Sequence, residues 1–440
     1  MRNRYFRVLH KAGAPSRPAV QPVIMLRTTC AACGASGAKK DCGRCKTTYC
    51  SAACQTQHWK EGGHKDLCKR IKRGGGAEQY HADKKYAEAC AEAIEGCAEA
   101  TKGRTCYICR DERSTEGLVR GCACHTTEGF AHLSCLARQA QILVAEDEEN
   151  NLDIGPSWQR WYVCNLCGQY FHGAVRCALG WACWKRYEGR QQNNGVRNMA
   201  MYQVANAIYF DKQYGEALPL LRAHEAEIIR FKRCGDGRYI QSTRINIACC
   251  LTKLKRHDEA IKLARRLYYK AEELWGPSED NFLAAANILA IALGEGGEFG
   301  EARKLYGELR QGRGYDSEFA LRIHLSHAWT IYGDSSASTT DLIQAFVLLE
   351  RVIRAARRLM GKGNPLTQDV EKGMETVRKK LCPGNVCAVC GRGGAKKICA
   401  NCKGRVYCSV ACQRRDWKDH KPTCDVQALA IATARASLDE

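Results

Sequence analysis

Between Met199 and Leu381 apolar residues return every three or four positions, with polar and charged residues between them. That spacing predicts helices that bury one face, repeated through the whole stretch. A short signature also recurs: Tyr-Gly-Glu-Ala ending at Ala217, His-Asp-Glu-Ala at Ala260, Phe-Gly-Glu-Ala at Ala302 and Ile-Gln-Ala at Ala345, at intervals of 43, 42 and 43 residues. Another small residue stands twelve positions earlier in the first three units, at Ala205, Ala248 and Ala290. Ala328 is its counterpart in the fourth, which carries about five extra residues around GDSSAST. Small residues at both places let paired helices approach closely, and the aromatic or His before the second Ala caps the turn. One unit cannot bury its face alone, whereas four units plus a final helix can, so residues 198–381 read as an all-α solenoid. Upstream, the Ala- and Glu-rich stretch 77–101 reads as one helical spacer. Residues 1–29, with three prolines, several Arg and no acidic residue, read as a disordered basic arm.

Cysteine content changes the picture more than any other part of the composition. The 440 residues hold 29 cysteines, mostly in three clusters: Cys30 to Cys68, Cys106 to Cys167, and Cys387 to Cys424. The start shows no apolar export segment, and no run approaches the roughly 18 apolar residues of a membrane span. The expected setting is therefore cytoplasmic or nuclear, with an organelle transit peptide as the less favoured alternative. Thiols stay reduced there, and clustered cysteines read as metal ligands. The first cluster is Cys30-x2-Cys33, Cys42-x2-Cys45, Cys50-x3-Cys54 and His64-x3-Cys68. The third repeats it as Cys387-x2-Cys390, Cys399-x2-Cys402, Cys408-x3-Cys412 and His420-x3-Cys424, and TYCSAACQTQHW matches VYCSVACQRRDW between the ligands. Eight ligands in four close pairs suit two tetrahedral zinc ions with no open position. Cys249 and Cys250, on a first helix, read as small packed residues, as do Cys90, Cys97, Cys177, Cys183, Cys234 and Cys382.

These two clusters, 30–68 and 387–424, resemble the MYND zinc finger, down to the landmarks Tyr49, Gln55, Trp59 and Tyr407, Gln413, Trp417. The resemblance implies alternating pairs. Cys30, Cys33, Cys50 and Cys54 would hold one zinc, and Cys42, Cys45, His64 and Cys68 another. In the second copy Cys387, Cys390, Cys408 and Cys412 stand against Cys399, Cys402, His420 and Cys424. Four residues separate Trp59 from His64, against two between Trp417 and His420, which makes His58 a competing ligand. MYND fingers are interaction modules that often hold proline-rich peptides. Trp59 and Trp417 would line such a groove, the alternative being that each is simply packed. Residues 425–440 read as a tail.

The middle cluster differs: Cys106-x2-Cys109, Cys122-x-Cys124, His132-x2-Cys135 and Cys164-x2-Cys167. Its single-residue spacer and the His in fifth place resemble the RING-CH finger of membrane-associated ubiquitin ligases, over 104–172. The implied cross-brace puts Cys106, Cys109, His132 and Cys135 on one zinc and Cys122, Cys124, Cys164 and Cys167 on the other. Such a finger does no covalent chemistry. It positions a ubiquitin-conjugating enzyme carrying its thioester, and Ile108, between the first two ligands, would make that contact. Two departures stand out: Gln139 occupies the place where these ligases carry Trp, and no membrane span is seen. Trp158 and Trp161 are candidate substitutes for the missing ring. Glu146 to Glu149 read as a solvated loop.

The helical units are similar to tetratricopeptide repeats in the long form of kinesin light chains, with LWGPSEDNFLAAANILA and LMGKGNPLTQDVEKGM at the inter-repeat turns. The resemblance implies a concave surface for peptides or helices of partners. The expected architecture is multidomain, with small zinc-stabilised α+β or irregular cross-brace fingers beside an all-α tetratricopeptide solenoid. Two functions follow. The first is a soluble RING-CH ubiquitin ligase whose repeats and MYND fingers recruit substrates. The alternative is a non-enzymatic adaptor. A lysine methyltransferase is excluded by the lack of an Asn-His-x-Cys motif.

Charge enters last. The formal net charge of +21 invites a nucleic-acid reading, but no finger has base-reading spacing and no basic stripe alternates with aromatics. The 24 assigned ligands imply six zinc ions. Each module then carries a four-Cys site (net −2) and a three-Cys, one-His site (net −1). Three modules remove 9 charges from +21, leaving +12, and specific nucleic-acid recognition is not expected.

Overall fold

The computed structural model describes residues 30–35, 38–111, 114–123, 129–231, 237–276, 279–311, 314–381, 387–392, 395, 397–402 and 405–436. The expected basic arm, Cys124, Cys234 and Cys382 lie outside them. The chain divides into two compact units, up to Ala82 and from Asp83 onward.

In the first unit a two-stranded antiparallel hairpin, β1 (Lys40–Asp41) and β2 (Thr48–Tyr49), precedes helices α1 (Ala52–Lys60) and α2 (His64–Arg73). Its core is small and made largely of ligand residues: Cys30, Cys42, Cys45 and Cys68 with Tyr49 and Ile71. So few apolar side chains cannot hold a fold of this size without a further restraint. The two residues that the first finger has in excess over the second appear as a break between α1 and α2. Gly63 there adopts a left-handed φ of +73°, and Gly62 lies so close to His58 that a Cβ would meet its ring at 2.1 Å. The second finger lacks those residues, and its helix runs without a break.

The second unit takes in most of α3 (Ala77–Thr101), the hairpin β3 (Leu118–Val119) with β4 (Ala131–His132), then α4 (Leu133–Glu149), the short α5 (Gly155–Trp158) and α6 (Gly173–Tyr187). Four helix pairs follow: α7 (Gly195–Phe210) with α8 (Tyr214–Arg230), α9 (Arg238–Lys253) with α10 (His257–Trp275), α11 (Asp280–Glu295) with α12 (Phe299–Arg310), and α13 (Glu318–Gly333) with α14 (Thr339–Met360). Helix α15 (Pro365–Leu381), the hairpin β5 (Lys397–Ile398) with β6 (Val406–Tyr407), and α16 (Val410–Ala436) complete it. The stretch read as a tail therefore continues the helix as far as Ala436.

The first helices of successive pairs touch in order, α7 on α9, α9 on α11, α11 on α13 and α13 on α15, while each also packs on its own partner. This is a stacked-repeat domain. All eight repeat alanines (Ala205, Ala217, Ala248, Ala260, Ala290, Ala302, Ala328 and Ala345) are 0% exposed, because only a methyl group fits where two helix backbones close up. Tyr214, His257 and Phe299 are the first residues of α8, α10 and α12, rather than side-chain caps. The turn is made instead by backbone hydrogen bonds that recur in all three units. The N–H groups of Gln213, Arg256 and Glu298 reach back to the carbonyls of Ile208, Leu251 and Leu293, and Lys212, Lys255 and Gly297 sit at positive φ.

Helix α6 extends the stack at its start. Its approach to α7 is so close that a Cβ on Gly180 would meet that of Ala207 at 2.5 Å. Trp158 and Trp161 are buried beside Tyr187, with ring centroids 5.5 and 6.1 Å away, so neither replaces an exposed ring on the middle finger. Glu146–Glu149 is not a loop but the last turn of α4, where Glu148 pairs with Arg190 at 2.7 Å. At the far end of the solenoid, Gln169 Nε2 donates to the Met360 carbonyl at 3.2 Å, and Asn364 Nδ2 donates to Gln169 Oε1 at 3.4 Å. The middle finger thus contacts both the beginning and the end of the repeat stack.

Candidate metal centres and interaction surfaces

Five of the six Cys-x2-Cys pairs, all but Cys399–Cys402, sit on the same tight turn. The Cys30 carbonyl accepts from the Gly34 N–H at 2.8 Å, and the Cys30 N–H donates to the Ala35 carbonyl at 2.8 Å. The same two bonds form at Cys42, Cys164 and Cys387, and the first of them at Cys106. The fourth residue after the leading Cys must enter the left-handed region: Gly34, Lys46, Arg110, Gly168 and Gly391 have φ between +53° and +73°. Glycine fills three of those five places, as the backbone favours. In the MYND-like segments Ser51 and Ser409 cap the next helix, accepting from the N–H of Cys54 and Cys412 at 3.1 and 3.2 Å. That explains the Tyr-Cys-Ser landmark: the buried Tyr sits on the strand, Cys is the ligand, and Ser starts the helix that delivers the next one.

Among the described residues, the sets of four ligand atoms that close to within 4.8 Å include Cys30, Cys33, Cys50 and Cys54; Cys42, Cys45, His64 and Cys68; Cys106, Cys109, His132 and Cys135; Cys387, Cys390, Cys408 and Cys412; Cys399, Cys402, His420 and Cys424. These sets have the alternating composition expected from the sequence. Sulfur–sulfur separations include 3.4 Å (Cys50–Cys54), 3.8 Å (Cys42–Cys68) and 4.0 Å (Cys390–Cys412). A tetrahedral ion with bonds of about 2.3 Å to sulfur sets its ligands about 3.8 Å apart, so the donor sets fit zinc. Electrostatics agrees. The N–H of Cys408 draws the Cys387 thiol down to about 6, whereas the adjoining thiols of Cys412, Cys390 and Cys387 push Cys408 up to about 12. Four thiolates at this spacing repel one another unless a cation stands between them.

The histidines split by position. His64 and His420 precede their cysteines by one helical turn and turn Nε2 inward, 3.5 Å from Cys45 Sγ and 3.2 Å from Cys402 Sγ. His132 stands just before α4, three residues from Cys135 rather than four, and offers Nδ1 at 3.3 Å from Cys109 and 3.6 Å from Cys135. His58 lies outside the tetrad: its Nδ1 is held by the Tyr49 hydroxyl at 3.0 Å, and its ring stacks on His64. In the second finger Asp416 takes that place, bonded to Tyr407 and Arg405 at 2.7 Å. Of the remaining expected set, Cys122 and Cys164 are buried and Cys167 is exposed. Cys124 falls outside the described residues.

Trp59 and Trp417 are 38% and 40% exposed, each edge-on to its ligand histidine at 5.7 and 6.0 Å. Ile108 is half-buried. Leu166, which the sequence reading does not single out, is 43% exposed and holds the same place in its Cys-x2-Cys pair as Ile108 does. The residues just before them join the two turns, Tyr107 Oη donating to Asn165 Oδ1 at 2.8 Å. Cys177, Cys183 and Cys250 are buried, and burial raises their thiol pKa values, consistent with packing rather than chemistry. Among the described residues no helix is long and apolar enough to cross a membrane.

A cavity of about 980 Å³ lies within the second unit. Tyr202, Asn206 and Phe210 of α7, Asn246 of α9, Arg322 of α13 and Asp369 of α15 face it, and the segment Tyr170 to Arg176 closes the remaining side. The repeat pattern predicts a concave face. It does not reveal Arg176, which lines the same cavity as residues of helices far along the chain.

Comparison with known proteins agrees on the first and third cysteine clusters. The MYND finger family matches residues 30–68 and 387–424. Dauer abnormal formation protein 25 of Caenorhabditis elegans is 55% identical over 38 residues, 9% of this chain and 10% of its own length. Ubiquitin carboxyl-terminal hydrolase 19 of Arabidopsis thaliana is 44% identical over 68 residues, 15% of this chain and 10% of its own. The chain thus spans about a tenth of either relative. Two crystal structures of a Podosopora anserina kinesin light chain with nearly identical TPR-like repeats are similar at low level. One, a point variant, has TM-score 0.33 and 16% identity over 52% of this chain and 97% of that one. The other has TM-score 0.30 and 14% identity over 57% and 99%. The chain carries two MYND fingers, one before and one after the helical repeats in sequence.

Proposed function

We propose that the chain is a zinc-stabilised protein-interaction scaffold, with the two MYND fingers and the repeat stack each holding a peptide or protein partner. The observation that carries this reading is the pair of bare indoles. Two fingers differ in helix continuity and in the residue behind the Tyr hydroxyl, yet each leaves its Trp about two-fifths exposed against the ligand histidine. An exposed, rigid aromatic of this kind suits stacking on a Pro-containing peptide. Proline-rich peptides are expected to bind the full chain, and Trp417→Ala and Trp59→Ala should each remove one binding event, weakening that event at least tenfold by calorimetry. Unchanged binding in both variants would remove the basis for the reading.

A second reading, ubiquitin transfer through a RING-CH middle finger, is favoured by one feature. The Tyr107–Asn165 bond joins the Cys106–Cys109 and Cys164–Cys167 turns, and each carries an apolar residue before its second Cys, half-buried Ile108 and exposed Leu166. With activating and conjugating enzymes, ubiquitin and ATP, such a finger would form chains, and both Ile108→Ala and Leu166→Ala would stop them without releasing zinc. No chains across a broad panel of conjugating enzymes would leave the scaffold reading alone.

A further inference from the structure

Helix α2 turns His64, Cys68 and Ile71 into the first finger, with Leu67 half-buried beside them. Its other face carries Lys65, Lys69, Arg70, Lys72 and Arg73, all exposed. Lys65, Lys69, Lys72 and Arg73 stand at i, i+4, i+7 and i+8, which sets them in one stripe about 12 Å long. Among the described residues none of the five has an acidic partner, and Asp66, the one acid of the helix, sits in its first turn without bonding any of them. In the repeat stack, by contrast, Lys253 pairs with Glu295 and Arg265 with Glu301, both at 2.7 Å. Residues 1–29 cannot supply the missing charge, since they contain no acid. The helix dipole favours cations in the last turn, but Lys65 stands in the first, where it is disfavoured. Nor does the zinc fold require them: Lys69-Arg70-Ile71-Lys72-Arg73 follows the last ligand of the first finger, where the second has Asp425-Val426-Gln427-Ala428-Leu429.

A row of unpaired cations suits a polyanion, and the rest of the face selects its kind. The apolar side of α2 is committed to the core of the finger, so none is left to sink into a lipid surface. The stripe holds no aromatic or aliphatic residue, whereas protein partners are held chiefly by such anchors. Because Cys68 is a ligand and Ile71 is buried, the basic run stays helical and is not offered as an extended peptide. Single-stranded bases stack on aromatic rings, and the helix has no Tyr, Phe or Trp. A duplex backbone needs none of these, because its phosphates are bound by charge alone as condensed counterions are released. We propose that α2 of the first finger binds the phosphate backbone of a nucleic-acid duplex without reading its sequence. This function goes beyond the scaffold reading and does not depend on it.

The test uses the full-length, zinc-loaded chain and labelled twenty-base-pair duplexes of DNA and of RNA, each in two unrelated sequences. Binding is read by fluorescence anisotropy at salt concentrations from about 50 to about 200 mM. Each phosphate contact contributes about 0.9 to the slope of log affinity against log salt on duplex DNA. Lys69→Gln with Lys72→Gln is therefore expected to lower that slope by about 1.8 and to weaken binding at low salt at least tenfold, equally for both sequences. The control pair Arg414→Gln with Arg415→Gln, exposed cations of the second finger, should change neither. Zinc content by elemental analysis shows that the finger stays folded. Should the α2 pair lose zinc, Lys65→Gln with Arg73→Gln is read in its place, with the same expected fall in slope. A slope unchanged by the α2 variants, one lowered as much by the control pair, or a tenfold preference for one sequence would overturn the proposal. Equal or tighter α2-dependent binding of a polyglutamate peptide or of phosphatidylserine vesicles would also overturn it and assign the face to an acidic protein or a membrane. The DNA and RNA arms tell which duplex supplies the phosphates: binding of either upholds the proposal, and binding of neither overturns it.

Discussion

Changing Cys42 to Ser is expected to remove one zinc ion per chain, measured by elemental analysis of the purified protein, and to unfold the first finger. The tetrad of Cys42, Cys45, His64 and Cys68 is buried throughout, and its three cysteines are part of that finger's small core. Structural zinc contributes roughly 10–16 kcal/mol in domains of this kind, far more than so few apolar contacts give. Loss of the fold should appear as rapid proteolysis between Cys30 and Arg73, while Cys90→Ser leaves the zinc content unchanged. The partner tetrad behaves differently. Cys33 and Cys50 are exposed, so a chelator should strip that site before the buried one. Acid acts in the same direction at both sites, because protonating thiolates and imidazoles competes with the metal and releases it as pH falls.

Ala290→Leu should have the largest effect on the repeat stack. Helix α11 packs on α9, α10, α12 and α13, and Ala290 has no exposed surface. Three added carbons force the helices apart or the side chain off its rotamer, at a cost of about 1–3 kcal/mol. For a domain of this size each kcal/mol lowers the melting temperature by about 2–4 °C. Differential scanning calorimetry would read that shift, and Ala290→Ser, which adds one atom, should move it far less. A melting temperature unchanged by leucine would mean that the repeat alanines do not mark helix contacts.

The alanine pattern is legible in the sequence because close helix approach admits so few side chains that the constraint shows at fixed intervals. Ligand spacing is legible for a similar reason: a turn that aims two thiols at one point leaves little freedom in length. Proximity in sequence is a poor stand-in for proximity in space elsewhere. Trp158 and Trp161 precede Cys164, but their rings turn inward to Tyr187 rather than out onto the finger. Glu146–Glu149 resembles a loop because four acids in a row show no apolar face, yet the face of α4 is set by Leu136, Ala140 and Val144 before them. Leu166 is legible in principle, since it repeats the place of Ile108 within a Cys-x2-Cys pair. Arg176 is not, because the cavity that it lines is shared with residues of α7, α9, α13 and α15, far along the chain.

The contact of Gln169 with Met360 and Asn364 joins residues 191 and 195 positions apart in the chain. Closing so long a loop in an unfolded chain carries an entropic cost of about 4–5 kcal/mol, whereas between helices already stacked the ends arrive near each other and little freedom remains to be lost. Neighbouring pairs should therefore form first from local contacts, with the finger docking on the last turn as a late event. An open solenoid frays from its ends. In this chain the last repeat turn is fastened to the finger, so its opening has to break that long-range seam as well as its neighbour interface, which couples the melting of the two ends.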